Sequence, residues 1–440
     1  MVRYVIIGSG VAGISAIEAI RSRDYSGDIT LISDDPFGYY SRPGLAYYLT
    51  GELGEQHLYP LPQQRLPELR VRILQARVAH IQPGPHCLEL DNGIRLPYDR
   101  LMIATGASAA RADTPGADLA GVVKLDNLED ARYIIKLARK SRSAVVVGGG
   151  ITALELVEGL RARKIRTHYF LRGERYWSNV LDETESRIVE HRLKEEGVQI
   201  YYHTELGEIL GRNGRVAAVR TKAGRLVSCD MVAIAIGIRP RTALAKEAGL
   251  QVERGIIVTE HMQSSEADIY AAGDVAQVYD PLTGKHVLDS LWGPAREQGY
   301  VAGQNMAGQA STYLKPIAFN VTRLANLTTT IIGTVGRGDD EDLFGIARGD
   351  SEVWRQLPDA IAAQADFEVN RLRLVMANNT IIGAIIMGDQ TLSRPLQQLV
   401  AKKVDISTVR ERWLKPDAPL AELVTDFYLQ WRQSDAARQP

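Results

Sequence analysis

Residues Tyr4 to Ala16 read YVIIGSGVAGISA. Four apolar residues suited to a buried parallel strand run into Gly8, Gly10 and Gly13, and apolar residues then recur at helical spacing as Val11, Ile14, Ala16 and Ile17. The pattern predicts a strand, a tight turn and a helix, the arrangement that cradles a pyrophosphate. Gly8 permits the turn, Gly10 lets the backbone approach the phosphates, and Gly13 lets the helix sit close on the strand. The helix N-terminus offers free N–H groups and roughly half a positive charge. A twin follows at Ala144 to Leu156, AVVVGGGITALEL, with Gly148, Gly149 and Gly150 in the turn and Ala153 in the third small position. One Gly-rich turn is a weak signal. Two, each after a strand and opening a helix, predict two dinucleotide sites.

At 440 residues the chain has room for about three domains. A formal net charge of −1, with basic residues scattered among acidic ones, makes no global case for nucleic acid or a membrane surface as partner. No apolar run reaches the length of about 18 residues that a membrane span needs, and Met1 leads directly into a strand, so the expected location is the cytoplasm. Only two cysteines occur, Cys87 and Cys229, far apart and in no ligand spacing. A disulfide framework, an iron–sulfur cluster and a zinc site therefore lack a ligand set, no metal is expected, and both thiols read as small strand residues.

After the first helix, Asp28 to Ser33 (DITLIS) predicts the second strand, followed by Asp34 and Asp35. A carboxylate at that strand end accepts hydrogen bonds from an adenosine ribose; Asp34 is the first choice, Asp35 its rival, and a plain turn acid before Pro36 the other reading. Tyr39 to Gly51 read YYSRPGLAYYLTG. This segment resembles the stretch beside the flavin in the pyridine nucleotide-disulfide oxidoreductase superfamily, most closely its NADH:rubredoxin oxidoreductase and ferredoxin reductase branch. Disulfide-reducing members carry a redox-active cysteine here. This chain has Pro43 and no cysteine from Met1 to His86, so no thiolate is available to attack a disulfide. Some ferredoxin reductases carry a lysine where this chain has Tyr47. The resemblance brings Arg42 near the flavin or its pyrophosphate, though a surface residue holding the loop has the same sequence.

Further resemblances keep the family order. Tyr98 to Arg111 (YDRLMIATGASAAR) resemble the segment closing the first half of the FAD site, which implies roles for Thr105, Gly106 and Arg111, with Val78 near the adenine. Asp268 to Val275 (DIYAAGDV) resemble the motif in which Gly273 and Asp274 support the flavin pyrophosphate and a ribityl hydroxyl. Leu291 to Gly308 (LWGPAREQGYVAGQNMAG) resemble a helix that brings Gln298 toward the flavin and nicotinamide pocket, with Trp292 as pocket wall or core anchor. On the second fingerprint helix the resemblance implies that Glu155 meets the nicotinamide carboxamide; a carboxylate early in a helix also suits the dipole.

The strand Thr167 to Leu171 ends without the acid that would hold a ribose diol; Arg172 and Arg175 follow. Guanidinium groups pair with a 2′-phosphate in bidentate fashion, so the sequence leans to NADPH over NADH. The other reading has Glu174 as ribose ligand and the arginines on a solvated loop. The basic cluster Arg161, Arg163, Lys164 and Arg166 reads as a solvated helix end, with docking of an acidic carrier as the sharper alternative.

The expected fold is α/β: a discontinuous FAD-binding domain of 1–112 and 238–315, an NAD(P)H-binding domain of 113–237, both Rossmann-like, and a C-terminal α+β domain of 316–440. Repeated β-branched runs there, including Thr328 to Val335 and a hairpin from Leu372 to Met387 turning at Asn378-Asn379, predict an antiparallel sheet. No histidine follows His286, so the acid-base pair of disulfide reductases is missing too. The resemblance implies FAD as cofactor, hydride transfer from nicotinamide to flavin without an ionisable catalyst, and electrons leaving to rubredoxin, ferredoxin or a small acceptor. An NAD(P)H oxidase or diaphorase and a non-enzymatic FAD/nucleotide redox sensor are the alternatives; a homodimer through the last domain is compatible with all three.

Overall fold

The computed structural model of this chain describes residues 1–62, 64–281, 284–335, 361–367, 370–416 and 418–436. Strand β1 (Arg3–Ile7) is apolar on both faces beyond its first residue, which suits the middle of a parallel sheet covered on two sides. Helix α1 (Val11–Arg21) follows, then β2 (Asp28–Ser33), which pairs in parallel with β1 from Arg3 opposite Asp28 to Ile7 opposite Ile32. A short helix the sequence reading had not singled out, α2 (Gly44–Thr50), occupies the flavin-loop segment directly after Pro43. Strand β3 (Val71–Gln75) extends the β2 edge, and β4 (Arg100–Ile103) pairs with the other side of β1.

The chain then builds a second sheet of the same kind. Its strands are β5 (Val122–Val123), β6 (Ser143–Val147), β7 (Arg166–Phe170), β8 (Gln199–Tyr201) and β9 (Met231–Ile234), in the parallel order β8-β7-β6-β9-β5. Helix α3 (Leu128–Ala138) leads into it, capped by the Asn127 side chain; α4 (Ile151–Ala162) and α5 (Glu183–Glu195) make its crossovers. Antiparallel pairing of residues 107–109 with 238–240 carries the chain out to this sheet and back. Strand β10 (Ile269–Ala271) then adds to β4, completing the first sheet in the order β10-β4-β1-β2-β3. Helix α6 (Trp292–Met306) crosses α1 so closely that a Cβ on Gly299 would lie 2.1 Å from the carbonyl oxygen of Ala12.

The last part is an antiparallel sheet of β11 (Phe319–Leu324), β12 (Leu327–Gly333), β13 (Ile361–Phe367), β14 (Asn370–Ala377) and β15 (Thr380–Met387), in the order β11-β12-β15-β14-β13. The predicted turn is there, with Asn378 at φ +51° in the left-handed region that Asn tolerates. One face is covered by α7 (Ser393–Ala401) and α8 (Leu420–Ala436), with Leu420, Leu423 and Val424 in the core between them. The other face joins Leu324, Leu327, Ile331 and Met387 to the apolar core around α4. No described helix is long and apolar enough to cross a membrane.

Candidate functional site

Two clefts open where the Gly-rich turns leave their strands. In the first turn, Gly8 has φ +113°, and a Cβ there would lie 2.2 Å from the Ala104 carbonyl oxygen; a Cβ on Gly13 would lie 2.1 Å from the carbonyl oxygen of Gly8. Those two glycines are demanded by the fold itself. Gly10 is different: nothing lies within 4 Å of the position a Cβ would take. The open ground is in front of α1, whose first turn has no acidic residue and no side-chain cap. Its leading N–H groups thus face space that an anion fills well.

At the end of β10, Gly273 (φ +77°) turns the chain against α1, where a Cβ on it would lie 3.2 Å from the Ala12 Cβ, and Asp274 follows. The carboxylate has no hydrogen-bond partner among the described residues, and burial pushes its pKa up to about 6, with the Arg42 guanidinium pulling the other way. An unpaired, partly buried acceptor of this kind suits a hydroxyl-rich ligand chain. Gln298 was expected in the pocket. Its side chain is instead 1% exposed behind the turn, where it accepts the Gly273 N–H at 2.9 Å. It holds the turn that presents Asp274.

Asp34 follows β2 at the mouth of the cleft, where Arg77 donates to it at 2.9 Å. Asp35 is spent on its own loop, accepting the Phe37 N–H at 3.0 Å and the Tyr40 hydroxyl at 3.3 Å. Arg42 donates to the Asp126 carbonyl at 2.6 Å and lies 3.8 Å from Asp35, so it ties the α2 loop to the segment before α3. Pro43 is the residue before α2. Thr105 donates to the Arg241 carbonyl at 3.1 Å and Gly106 accepts from the Arg241 N–H at 2.9 Å, joining the outgoing and returning segments. Val78 is buried in the first core and Arg111 is exposed beyond the crossing. Trp292 is 42% exposed, which rules out the core-anchor reading.

The second cleft repeats the logic. Gly148 has φ +144°, and a Cβ there would lie 2.0 Å from the Ala235 carbonyl oxygen, whereas Gly149 and Gly150 have nothing within 4 Å. Ala153 is fully buried beneath them, and α4 opens with no acid in its first turn and no side-chain cap. A cavity of about 570 Å³ lies in front, bounded by Gly148, Gly149, Arg172, Arg175, Trp177 and Lys222. That volume is in the range of small-molecule sites. Lys222 and Thr204 had no sequence signal, because they reach the cavity from turns further along the chain, while Trp177 comes from the same loop as Arg172 and Arg175. Glu174 is paired with Arg175 and 63% exposed.

Glu155 lies in a smaller cavity of about 30 Å³ with Tyr47, Thr50, Glu158, Thr322 and Arg323, where α2, α4 and the C-terminal sheet meet. Burial, reinforced by the charge of Glu158, pushes the Glu155 carboxyl up to about 8. Burial also raises Glu158, to about 7, against the Asn326 N–H and the Arg323 charge. Folded-state pKa values above the unfolded ones mean that the folded chain binds these two protons more tightly, so the contribution of this pair to stability is greatest at low pH and falls as pH rises from about 4.5 toward 8. Glu155→Gln is therefore expected to raise the melting temperature by on the order of a few degrees at pH 8 and hardly at pH 5. Equal shifts at both pH values contradict the assignment.

The basic cluster divides. Arg163 donates to the Leu49 carbonyl at 2.9 Å and the Tyr48 carbonyl at 3.2 Å, closing the end of α2, and Arg161 donates to Ile165 at 2.9 Å. Two of the four cations thus serve the fold. Cys87 and Cys229 are free thiols, and burial pushes Cys229 up to about 12.

A family model described as pyridine nucleotide-disulphide oxidoreductase matches residues 2–299. A rubredoxin–NAD(+) reductase of Pseudomonas putida is 31% identical over 317 residues, covering 72% of this chain and 82% of its own. The ferredoxin–NAD(+) reductase component of a 3-phenylpropionate/cinnamic acid dioxygenase from Photorhabdus laumondii is 28% identical over 388 residues, 85% of this chain and 96% of its own. The crystal structure of the ferredoxin reductase for the CYP199A2 system of Rhodopseudomonas palustris has the same fold, with a TM-score of 0.83 at 21% identity over 96% of this chain and 100% of that one.

Proposed function

Because this chain belongs to the pyridine nucleotide-disulphide oxidoreductase family, we propose that it passes electrons from a reduced nicotinamide nucleotide, through FAD, to a rubredoxin- or ferredoxin-type carrier. The observation that carries the reading is the pair of uncapped helix N-termini, each facing open ground beside a Gly-rich turn, together with the unpaired Asp274 at the first. In this reading the first cleft takes FAD and the second the nicotinamide nucleotide. Bound FAD supplies the conversion of a two-electron hydride donor into single electrons for a carrier.

The protein's own share is binding and orientation. Gly10 and the α1 N-terminus hold the FAD pyrophosphate, Asp34 the adenosine ribose and Asp274 the ribityl chain, with Val78, Thr105, Gly106, Arg111 and Arg42 around them. Gly148, Gly150 and the α4 N-terminus hold the second pyrophosphate. Glu155 is assigned to the nicotinamide carboxamide, on the side where α2 meets α4. Two domains divide this work, 1–112 with 238–315 for FAD and 113–237 for the nucleotide, and 316–440 form the third. Electrons have to leave the protein because the loop at Arg42-Pro43 has no thiol and the two cysteines, unpaired, lie far apart in sequence. The soluble pool of reduced nicotinamide nucleotide that feeds it is cytoplasmic, and we assign it there.

Both relatives described above are named for NAD(+). For this chain the cations Arg172, Arg175 and Lys222 around the cavity beside β7 support NADPH. Replacing Arg172 and Arg175 together by alanine is expected to lower kcat/KM for NADPH by about 10- to 100-fold while changing that for NADH less than about threefold. A wild-type preference for NADH that survives the replacement overturns the cofactor choice.

A further inference from the structure

The segment 171–182 bounds the nucleotide cavity through Leu171, Arg172, Arg175, Trp177 and Ser178, and it is anchored from two sides. On the inner side, helix α5 holds it: Glu190 accepts the Tyr176 N–H at 2.7 Å, and Ser186 donates to the Tyr176 carbonyl at 2.6 Å. On the outer side the anchor comes from the C-terminal sheet, almost two hundred residues away in sequence. Arg373 donates to the Val180 carbonyl at 2.8 Å and makes a two-pronged contact with Glu185 at 2.8 and 3.0 Å. Arg371 donates to Asp182 at 2.8 Å.

Arg371 and Arg373 alternate along β14, so both leave the same face of the sheet. Asp182 and Glu185 also cap α5 reciprocally, the Asp182 carboxylate taking the Glu185 N–H at 2.8 Å and the Glu185 carboxylate the Asp182 N–H at 2.9 Å. The four charges therefore fix the end of the loop and the start of the helix in a single arrangement. Three of them are buried, Arg371 to 3% exposure, Arg373 to 7% and Glu185 to 0%, and the Asp182 side chain is 26% exposed. Burying ion pairs gains little stability over apolar packing, but moving one partner away leaves the other as a costly buried charge. What is being held is demanding: Trp177, within the loop, sits at φ +49°, a conformation that a bulky residue adopts only when its surroundings impose it.

We propose that Arg371 and Arg373 are positioning residues for the nucleotide site: the C-terminal sheet, which lies beyond the family match, sets the loop that presents Arg172 and Arg175, and so tunes binding of a 2′-phosphorylated adenosine nucleotide. The proposal rests on the NADPH reading of the cavity. Because linkage is reciprocal, a ligand at the cavity also steadies β14.

Two measurements on the full-length, FAD-loaded protein test it. Adenosine 2′,5′-bisphosphate, added to wild type, is expected to slow amide hydrogen exchange both in 172–182 and in β14; protection confined to the loop overturns the linkage. In the double variant Arg373→Met, Glu185→Leu, which removes both members of the one buried pair together, FAD content stays at the wild-type level. Its Kd for the bisphosphate is expected to rise about tenfold or more, with that for 5′-AMP changed less than about threefold. An unchanged bisphosphate Kd in that variant overturns the proposal. Wild-type protein that binds the two probes alike overturns the NADPH reading instead, and exchange in 172–182 of the double variant then decides the linkage: faster exchange supports it, unchanged exchange ends it.

Discussion

Gly10→Val is expected to purify folded and colourless, with FAD content below about a tenth of wild type, a loss of at least about 1.4 kcal/mol in binding. The reasoning separates three glycines that a sequence motif treats alike. A side chain at Gly8 or Gly13 strikes backbone at 2.2 or 2.1 Å, so changes there break the strand-to-helix turn before any ligand is involved. At Gly10 the backbone is extended, with φ −75° and ψ 178°, a conformation open to every residue, and no atom lies within 4 Å of a new Cβ. The apoprotein therefore tolerates valine at roughly the cost of about 1 kcal/mol for a poor helix cap. The FAD pyrophosphate does not, because the isopropyl group takes its place before the α1 N-terminus. Gly13→Val is the control that should fail to fold. A yellow Gly10→Val protein contradicts the assignment of the first cleft.

Gly150→Val should give the complementary phenotype. It keeps FAD at the wild-type level, while kcat/KM for the nicotinamide nucleotide falls at least about 100-fold, or about 2.7 kcal/mol. Gly150 precedes α4 in an extended conformation with nothing within 4 Å, whereas Gly148, at φ +144° and 2.0 Å from the Ala235 oxygen, is needed for the turn. The two substitutions together distinguish the clefts: one protein without colour, the other coloured but not reduced by nucleotide. A Gly150→Val enzyme with unchanged kcat/KM removes the second cleft from the account.

The parts of the fold legible in the sequence are those whose signals are local. Strand β2 falls on the predicted residues 28–33, α1 begins after Gly10, and the β14–β15 turn sits at Asn378-Asn379. Each depends on periodicity or on one capping residue within a few positions. Gln298 shows the limit. Its motif marks a helix near the first cleft, but only the packing of α6 on α1 reveals that the amide reaches the Gly273 N–H from behind. Arg163 is a second case: in sequence it is one cation in a basic run, and in space it closes α2. Arg371 and Arg373 are a third. Nothing within β14 announces that two charges on a sheet face will meet the cap of a helix 188 and 189 residues earlier. Contacts of that kind are set by how whole layers stack, which no local pattern encodes.

The central claim is that the flavin is the sole two-electron store between nucleotide and carrier, there being no thiol beside it. Anaerobic titration of the FAD-loaded protein with NADPH measures this directly, by counting equivalents needed to bleach the oxidised-flavin absorption. The account predicts a complete bleach at one NADPH per FAD, with carrier reduction restoring the colour. A second equivalent consumed before the bleach is complete, revealing another redox pair in the chain, would contradict it.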